Sequence, residues 1–301
     1  MKLGFVLPVE GTIATRSAVL DAARAAEGSG ADSIWTTDRI LQPGAPPGGY
    51  PYSEDRGAIA FRTGRAWLEP VATMGLVAGV TERVRIGTNV LVVPYRHPVV
   101  LAQELATLDA LSDGRILLGA GIGWMAEEFA ALGVPRGERG ARTDEAIRLM
   151  RELWRSPDPV RFAGRFWTVD NMGLPAQPAR AGGPPVLVGG NSDAALVRVV
   201  ELGDGWLGAD LDPVETARRI ARIRDGMRAA GRWTPFVELS MRIRLEPQGG
   251  GDALGGIDPG ELRDRIAAYA ASGVTLLVLD VMNLPDAAAA IERIARVAVG
   301  A

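Results

Sequence analysis

Eight short apolar runs alternate with eight helical patterns along this chain, and that alternation constrains the fold more than any other feature. The predicted strands cover residues 2–8, 33–37, 84–91, 115–119, 186–189, 205–207, 236–245 and 274–281. The predicted helices cover residues 16–28, 69–80, 98–111, 143–155, 192–202, 213–230, 260–272 and 286–299. Strands made of continuous Val, Leu and Ile runs are typical of a parallel sheet covered on both faces. Eight such pairs predict an α/β fold, the (β/α)8 or TIM barrel.

Three segments are longer than a minimal barrel needs. Residues 39–67 follow the second predicted strand and are rich in Pro and Gly, and residues 124–140 follow the fourth. Residues 161–169 predict a small hairpin around Gly164, before the fifth strand. Loops that follow strands lie at the C-terminal face of a barrel, where barrel active sites are found. We find no domain boundary and predict one domain over residues 1–301.

Composition excludes several classes of site. The chain has no cysteine, so disulfides, thiolate metal sites and a cysteine nucleophile are excluded, and its single histidine rules out a multi-histidine metal site. We therefore predict no metal. The formal net charge is −3 without a basic stripe, so we expect no nucleic-acid partner. Without a membrane-length apolar run or a secretory cleavage site, we expect a cytoplasmic protein.

Two glycine-rich strand ends predict ligand contacts. Residues 119–123 read Gly-Ala-Gly-Ile-Gly and end the fourth strand, where missing side chains let a ligand approach the backbone. The following Trp124 and Met125 break the dinucleotide-binding fingerprint. After the fifth strand, Gly-Gly-Asn-Ser opens a helix, which is how a barrel makes an anion site. The alternative for this second segment is an ordinary N-cap with flexible glycines.

Asp38 and His97 are two polar residues whose positions in the predicted barrel suggest a functional role. Asp38 lies at the C-terminal tip of the second strand, an active-face position, although an aspartate there also commonly bonds the loop backbone. His97 lies in Pro-Tyr-Arg-His-Pro, just before the third helix. It is either a loop histidine at a helix start or a donor near a cofactor. Tyr95 and Arg96 are weaker candidates of the same kind.

The motifs carry a resemblance over nearly the whole chain. AEGSGADSIWTTDRI, VPYRHPVVLAQELATLDALSDGR, GAGIGWMAEEFAALGVP, ERGARTDEAIRLMRELW and PPVLVGGNSDAALVRVVELGDGW resemble phrases of the luciferase-like monooxygenase superfamily. These proteins are flavin and deazaflavin TIM barrels, and the sequence is most similar to members that use the deazaflavin coenzyme F-420. The resemblance implies an oxidoreductase that acts on a small-molecule substrate and forms a homodimer.

The resemblance also implies cofactor-binding residues. It places Asp38 beside the ring of the cofactor, together with a non-prolyl cis peptide bond between Asn89 and Val90. It gives His97 a shared structural or cofactor role, and it places Ala120 and Gly121 along the ribityl chain. The phosphate would be bound by the segment after the fifth strand, which comprises Gly189, Gly190, Asn191 and Ser192.

Arg39 departs from the pattern of the family. Many relatives carry a proton-transferring histidine after the aspartate, whereas arginine stays protonated and cannot be a general base. We predict that Asp38 and Arg39 are the catalytic pair, with Arg39 as the polar group on the substrate side. A solvated loop cation is the alternative. Tyr50, Trp67 and Trp124 are further substrate candidates, which form either an aromatic flap over the cofactor or ordinary loop packing.

Three functions remain open from the sequence. The leading hypothesis is hydride transfer between coenzyme F-420 and a small organic substrate at the C-terminal face of the barrel. The second is a monooxygenase that uses reduced FMN and oxygen. It is weakly disfavoured, because this chain has Ile122 where flavin luciferases of this fold carry a phosphate-binding arginine. The third is a degenerate barrel that binds coenzyme without turnover.

Overall fold

The computed structural model describes residues 1–42, 66–232, 236, 238–249, 252 and 254–299. Eight parallel strands form its centre. They are β1 (Lys2–Val6), β2 (Ser33–Thr36), β3 (Arg85–Thr88), β4 (Ile116–Gly121), β5 (Val186–Gly189), β6 (Gly205–Ala209), β7 (Glu238–Arg244) and β8 (Leu276–Asp280). Neighbours along the chain pair with each other, β8 pairs with β1, and β4 pairs with β5. The sheet is therefore closed, and the predicted (β/α)8 barrel is confirmed.

In the described part of the chain, eight helices surround this sheet. They are α1 (Arg16–Gly28), α2 (Pro70–Ala78), α3 (Pro98–Leu111), α4 (Arg139–Arg155), α5 (Asp193–Leu202), α6 (Pro213–Ala229), α7 (Pro259–Ala271) and α8 (Ala287–Val299). Many begin with a side-chain cap, as Thr15 does for α1 and Asp212 for α6, which satisfies N–H groups that the helix leaves open. No helix among the described residues has the length and apolar character to span a bilayer.

Several short strands and turns lie on the C-terminal face. Glu10–Gly11 pairs antiparallel with Ala66–Trp67, and Leu91–Val92 pairs with the end of β4. The insertion after β4 contains the short helix Ala126–Ala131 and a 3-10 turn at Arg136–Glu138, and another 3-10 turn lies at Val93–Tyr95. The predicted hairpin is confirmed with longer strands, Val160–Ala163 and Thr168–Met172. The predicted strands 2–8 and 236–245 also extend further than the observed β1 and β7.

The third strand corrects one prediction. The sequence predicts an uninterrupted strand over residues 84–91, but β3 ends at Thr88 and the chain pairs again only at Leu91–Val92. The Asn89–Val90 peptide bond between them is cis, as the resemblance implied. The hydrophobic run therefore predicted the position of the strand correctly, but it could not show where the backbone stops pairing with the neighbouring strands.

Alternation along the paired strands determines which side chains face the lumen. Trp35 fills its middle, and the two neighbouring glycines make room for the indole. A Cβ at Gly87 would lie 2.5 Å from Cζ3 of Trp35, and one at Gly4 would lie 2.7 Å from Nε1. The centre of the barrel is thus a packed core, so ligand binding and catalysis would be confined to the strand ends.

Candidate active site

The carboxylate of Asp38, at the C-terminal tip of β2, is fully buried. Its Oδ2 accepts a hydrogen bond from Nη1 of Arg96 at 2.7 Å and one from the backbone N–H of Val92 at 2.8 Å. Burial raises the pKa of Asp38 above its ordinary value, although the guanidinium of Arg96 acts in the opposite direction. Arg96 also donates to Glu69, the N-cap residue of α2, at 2.8 Å. The structure therefore joins Asp38 to the loop after β3 and to α2.

Arg39 is buried beside a carboxylate that the sequence reasoning did not single out. Its Nη1 donates to Glu128 Oε2 at 2.9 Å and lies 3.1 Å from the sulfur of Met125. The two charged side chains are 7% and 3% exposed, respectively. A solvated loop cation is excluded by this burial. The signal in the sequence was Glu128 itself, an acidic residue in the short helix of the loop after β4, on the same barrel face as Arg39.

Two of the predicted substrate-side aromatic residues surround the Arg39 guanidinium. Its Cζ lies 5.1 Å from the ring centroid of Trp67 and 5.4 Å from that of Trp124, within the range of a cation–π contact. Trp67 is anchored by the short strand that pairs with Glu10. Tyr50 lies outside the described residues. The structure thus brings Arg39, Trp67 and Trp124 together, and their roles toward a substrate stay predictions.

Val90 enters the mouth of the barrel over two glycines. A Cβ at Gly121 would lie 2.3 Å from Cγ2 of Val90, and one at Gly189 would lie 2.5 Å from Cγ1. These glycines are therefore required where β4 and β5 end, because any larger residue would collide with the Val90 side chain. The result is a low apolar wall, formed by Val90, Gly121 and Gly189, on the β4–β5 side of the lumen.

The other residues of the glycine-rich strand end serve the backbone. A Cβ at Gly119 would lie 1.8 Å from the carbonyl oxygen of Thr88, so this glycine lets β3 and β4 approach closely. Ala120 is buried, and strand alternation places its methyl group on the helix-facing side. Any contact of Ala120 with a cofactor, as predicted, would therefore come from its backbone.

His97 has the structural role that its position before a helix suggested. It is the N-cap of α3, and its Nδ1 accepts from the N–H of Val99 at 3.3 Å. The ring centroids of His97 and Trp167, in the hairpin before β5, are 6.3 Å apart in an edge-to-face arrangement. The imidazole therefore links α3 to the hairpin, and its predicted contact with a cofactor stays a prediction.

The segment after β5 forms an ordered turn into α5. Ser192 is the N-cap of that helix and accepts from the N–H of Ala195 at 3.2 Å. The Asn191 amide donates to the Ala209 carbonyl at 2.7 Å and accepts from its N–H at 3.1 Å. Gly190 has a φ of +119°, a conformation that favours glycine, and donates to Leu207. The side chain of Asn191 is therefore committed to β6.

Asp193, the first residue of α5, is turned toward α6. Its carboxylate accepts from Arg222 at 2.6 Å and from Arg219 at 3.0 Å. The hydrogen bond and charge of Arg222, followed by those of Arg219, lower the pKa of Asp193. These contacts commit the Asp193 carboxylate to α6.

A charged cluster on the opposite wall was missed by the sequence reasoning. We define the carboxyl-end cluster as Asp210, Arg242, Arg244 and Asp280, at the ends of β6, β7 and β8. Arg242 donates to the fully buried Asp280 at 2.5 Å, and Arg244 lies 3.5 Å from the same carboxylate. Burial alone would raise the pKa of Asp280, but Arg242 and Arg244 hold it below its ordinary value. Arginines at alternate positions of β7 were the available signal, since they share one face.

Two surface cavities lie away from Asp38 and Arg39, and the smaller one reaches the carboxyl-end cluster only at Asp210. One, of about 990 Å³, lies between α1 and α8, and the other, of about 330 Å³, lies beside Tyr269 at the end of β6. The polar residues at the strand ends locate the candidate site better than these cavities do, because barrel active sites use the loops after the strands. Among the described residues, no group of three or more His, Asp or Glu side chains could hold a metal ion.

Comparison with known proteins gives a family and several relatives. The luciferase-like monooxygenase family model matches residues 1–248. An uncharacterised protein of Mycobacterium tuberculosis is 36% identical over 217 residues, which cover 71% of this chain and 73% of that protein. An F-420-dependent glucose-6-phosphate dehydrogenase of Amycolatopsis mediterranei is 32% identical over 254 residues, which cover 81% of this chain and 69% of the relative.

The fold is also found among solved structures. An F-420-dependent secondary alcohol dehydrogenase, solved in complex with an F-420–acetone adduct, superposes with a TM-score of 0.79 at 21% identity. The superposition covers 98% of this chain and 97% of that one. At this identity the likeness shows a shared fold.

Proposed function

The chain belongs to the luciferase-like monooxygenase family, in its branch of F-420-dependent oxidoreductases, and we propose that it transfers a hydride between coenzyme F-420 and a small organic substrate. The site would be the C-terminal face of the barrel, where Asp38, Arg39, Val90 and the start of α5 converge. The observation that carries this proposal is the pairing of a low apolar wall with a capped helix start at the ends of β4 and β5.

The residues present fit such a coenzyme. Val90, Gly121 and Gly189 form a wall without polar side chains, which suits one face of a flat ring system. The first N–H groups of a helix have no partner within it, and the positive end of the dipole favours an anion. The start of α5, capped by Ser192, therefore suits a phosphate. Because the Asn191 amide is bonded to Ala209, any contact from Asn191 would come from its backbone.

The protein would contribute position and electrostatics, while coenzyme F-420 supplies the hydride donor or acceptor. Arg96 and the Val92 N–H fix Asp38 at the edge of the wall. Trp67 and Trp124 cover the Arg39 guanidinium and would exclude water from the reacting atoms. Arg39 stays protonated and would hold a substrate oxygen rather than remove a proton.

Single-turnover hydride transfer tests this proposal. Protein with reduced coenzyme F-420 should oxidise it without oxygen when supplied with a suitable ketone or aldehyde, as followed by coenzyme absorbance. Asp38→Asn should weaken coenzyme binding about tenfold, roughly 1.4 kcal/mol, because it removes a charged contact at the wall. Oxygen consumption that requires reduced FMN, with no oxidation of reduced F-420, would favour the monooxygenase alternative.

A further inference from the structure

One buried carboxylate links three loops of the C-terminal face. Glu128, in the loop after β4, accepts four hydrogen bonds. They come from Arg39 Nη1 at 2.9 Å, the Ile40 N–H at 2.8 Å, the Leu41 N–H at 3.0 Å and the Tyr95 hydroxyl at 3.1 Å. Burial, followed by the charge of Glu128, raises the pKa of Tyr95, so the phenol stays protonated and remains a donor. Glu128 is therefore fixed by the loops after β2 and β3.

This carboxylate changes what a ligand meets at Arg39. The opposite charges of Arg39 and Glu128 are separated by 2.9 Å, so the pair carries no net charge and its field falls off faster with distance than that of a lone cation. The guanidinium is also enclosed by Trp67 and Trp124. A ligand beside these rings therefore meets aromatic surface and a dipole rather than a net positive charge.

The opposite wall is balanced in the same way. Arg242 lies 2.5 Å from Asp280 and 3.5 Å from Asp210, and Arg244 lies 3.5 Å from Asp280. Arg96, at the other edge, contacts both Asp38 and Glu69. In the part of the mouth that the structure describes, each arginine named in the site has a carboxylate within 4.0 Å. Such a surface does not concentrate anions.

We infer that Glu128 is a specificity-determining residue that balances the charge of Arg39, so that the mouth beside Trp67 and Trp124 accepts an uncharged, apolar substrate in preference to a carboxylate or phosphate. This inference rests on the proposed function, because it assigns the substrate class of the same site. Replacing Glu128 by glutamine keeps the size of the side chain and removes the negative charge that lies 2.9 Å from the Arg39 guanidinium. That change should attract anions.

Glu145 offers a matched control. It is 9% exposed, lies in α4, and accepts from the backbone N–H groups of Arg165, Phe166 and Trp167 at 2.8 to 2.9 Å. Like Glu128, it is a buried carboxylate that holds a loop of this face. These bonds run to the hairpin rather than to Arg39, so Glu145→Gln removes a similar group without changing the charge around the guanidinium.

The test uses two probes of equal shape, cyclohexanecarboxamide and cyclohexanecarboxylate, with glucose 6-phosphate as a larger anion. Binding is followed by intrinsic tryptophan fluorescence of the coenzyme-free protein and repeated with F-420 bound. The wild type should bind the carboxamide at least about tenfold more tightly than the carboxylate, and glucose 6-phosphate should give no saturable response once F-420 occupies the start of α5. Glu128→Gln should bind the carboxylate about tenfold more tightly than the wild type does, whereas Glu145→Gln should not.

The wild-type titration decides the question even if a variant fails to fold. Equal or tighter binding of the carboxylate by the wild type, or saturable binding of glucose 6-phosphate with F-420 bound, would overturn the inference. So would a folded Glu128→Gln with the wild-type preference, or with no response to either probe. Adding Arg39→Met to Glu128→Gln should abolish the gain for the carboxylate. A protein that shows the expected preferences without binding F-420 would contradict the proposed function while leaving this inference intact.

Discussion

The two ends of the barrel lumen carry similar charges in different arrangements. We define the amino-end cluster as Lys2, Asp32, Arg85 and Glu238. The buried Glu238 on β7 accepts from Lys2 on β1 at 2.5 Å and from Arg85 on β3 at 2.7 Å. Neither strand is a neighbour of β7, so these ion pairs cross the lumen. At the other end, Arg242 and Asp280 lie on the adjacent strands β7 and β8, so that pair follows the wall.

This difference supports the proposal that one end is structural and the other binds the ligand. Pairs that cross the lumen close it, and the Thr275 hydroxyl adds a further bond to Glu238 at 2.7 Å. Pairs that follow the wall, like those that join Asp38 to Arg96 and Arg39 to Glu128, leave the centre of the mouth to a ligand. A barrel with similar charges at both ends can thus be closed at one and receptive at the other.

The largest expected effect is at the closed end. Glu238→Ala should lower the free energy of unfolding by about 2–4 kcal/mol, because it removes a fully buried carboxylate that pairs across the lumen with Lys2 and Arg85. Both cations keep Asp32 as a partner, which limits the loss. Urea unfolding measures the loss. Coenzyme affinity of the folded fraction should match the wild type, and a large change in that affinity would show that the two ends are not separate.

A smaller loss of stability is expected at the open end. Asp280→Asn should cost about 1–3 kcal/mol, because Arg242 keeps Asp210 as a partner and Arg244 keeps Glu246. In contrast to Glu238→Ala, it should also weaken binding at the mouth, which fluorescence titration with cyclohexanecarboxamide measures. Unchanged binding together with a loss as large as that of Glu238→Ala would make this cluster purely structural.

Lowering the pH should progressively remove the stabilisation that Glu238 gives to the closed end. Burial alone would raise the pKa of Glu238, but bonds from Lys2, Thr275 and Arg85 hold it below its usual value of about 4.3. A lowered pKa in the folded state contributes stability that is full above the unfolded pKa and is lost as pH falls through the folded one. The stability difference between wild type and Glu238→Gln should therefore shrink below about pH 4.3, as urea unfolding at a series of pH values would measure. A difference that stays constant down to pH 2 would contradict the assignment.

The smallest effect is expected away from both ends. Arg161 and Asp170 form an ion pair on the hairpin at 3.3 Å, with side chains 78% and 77% exposed. Arg161→Ala should change the free energy of unfolding by less than about 0.5 kcal/mol, because exposed pairs are screened by water and salt. Thermal unfolding checks it. A loss comparable to that of Asp280→Asn would mean that burial does not explain the ranking.

The sequence predicted the barrel because parallel strands and surface helices have distinct hydrophobic patterns. It also predicted Asp38 and Ser192 at strand ends, since position in a (β/α)8 unit follows from element order. It did not reveal that Arg39 pairs with Glu128, because those residues are 89 positions apart and meet only through the packing of two loops. For the same reason, Gly119 looked like a ligand contact but makes room for Thr88.

A titration of cofactor-free protein with oxidised coenzyme F-420, with FMN in parallel, tests the proposed cofactor most directly. We expect saturable binding of F-420 that is clearly tighter than that of FMN, and weaker F-420 binding by Asp38→Asn. Tighter binding of FMN, or no binding of either compound, would contradict this expectation.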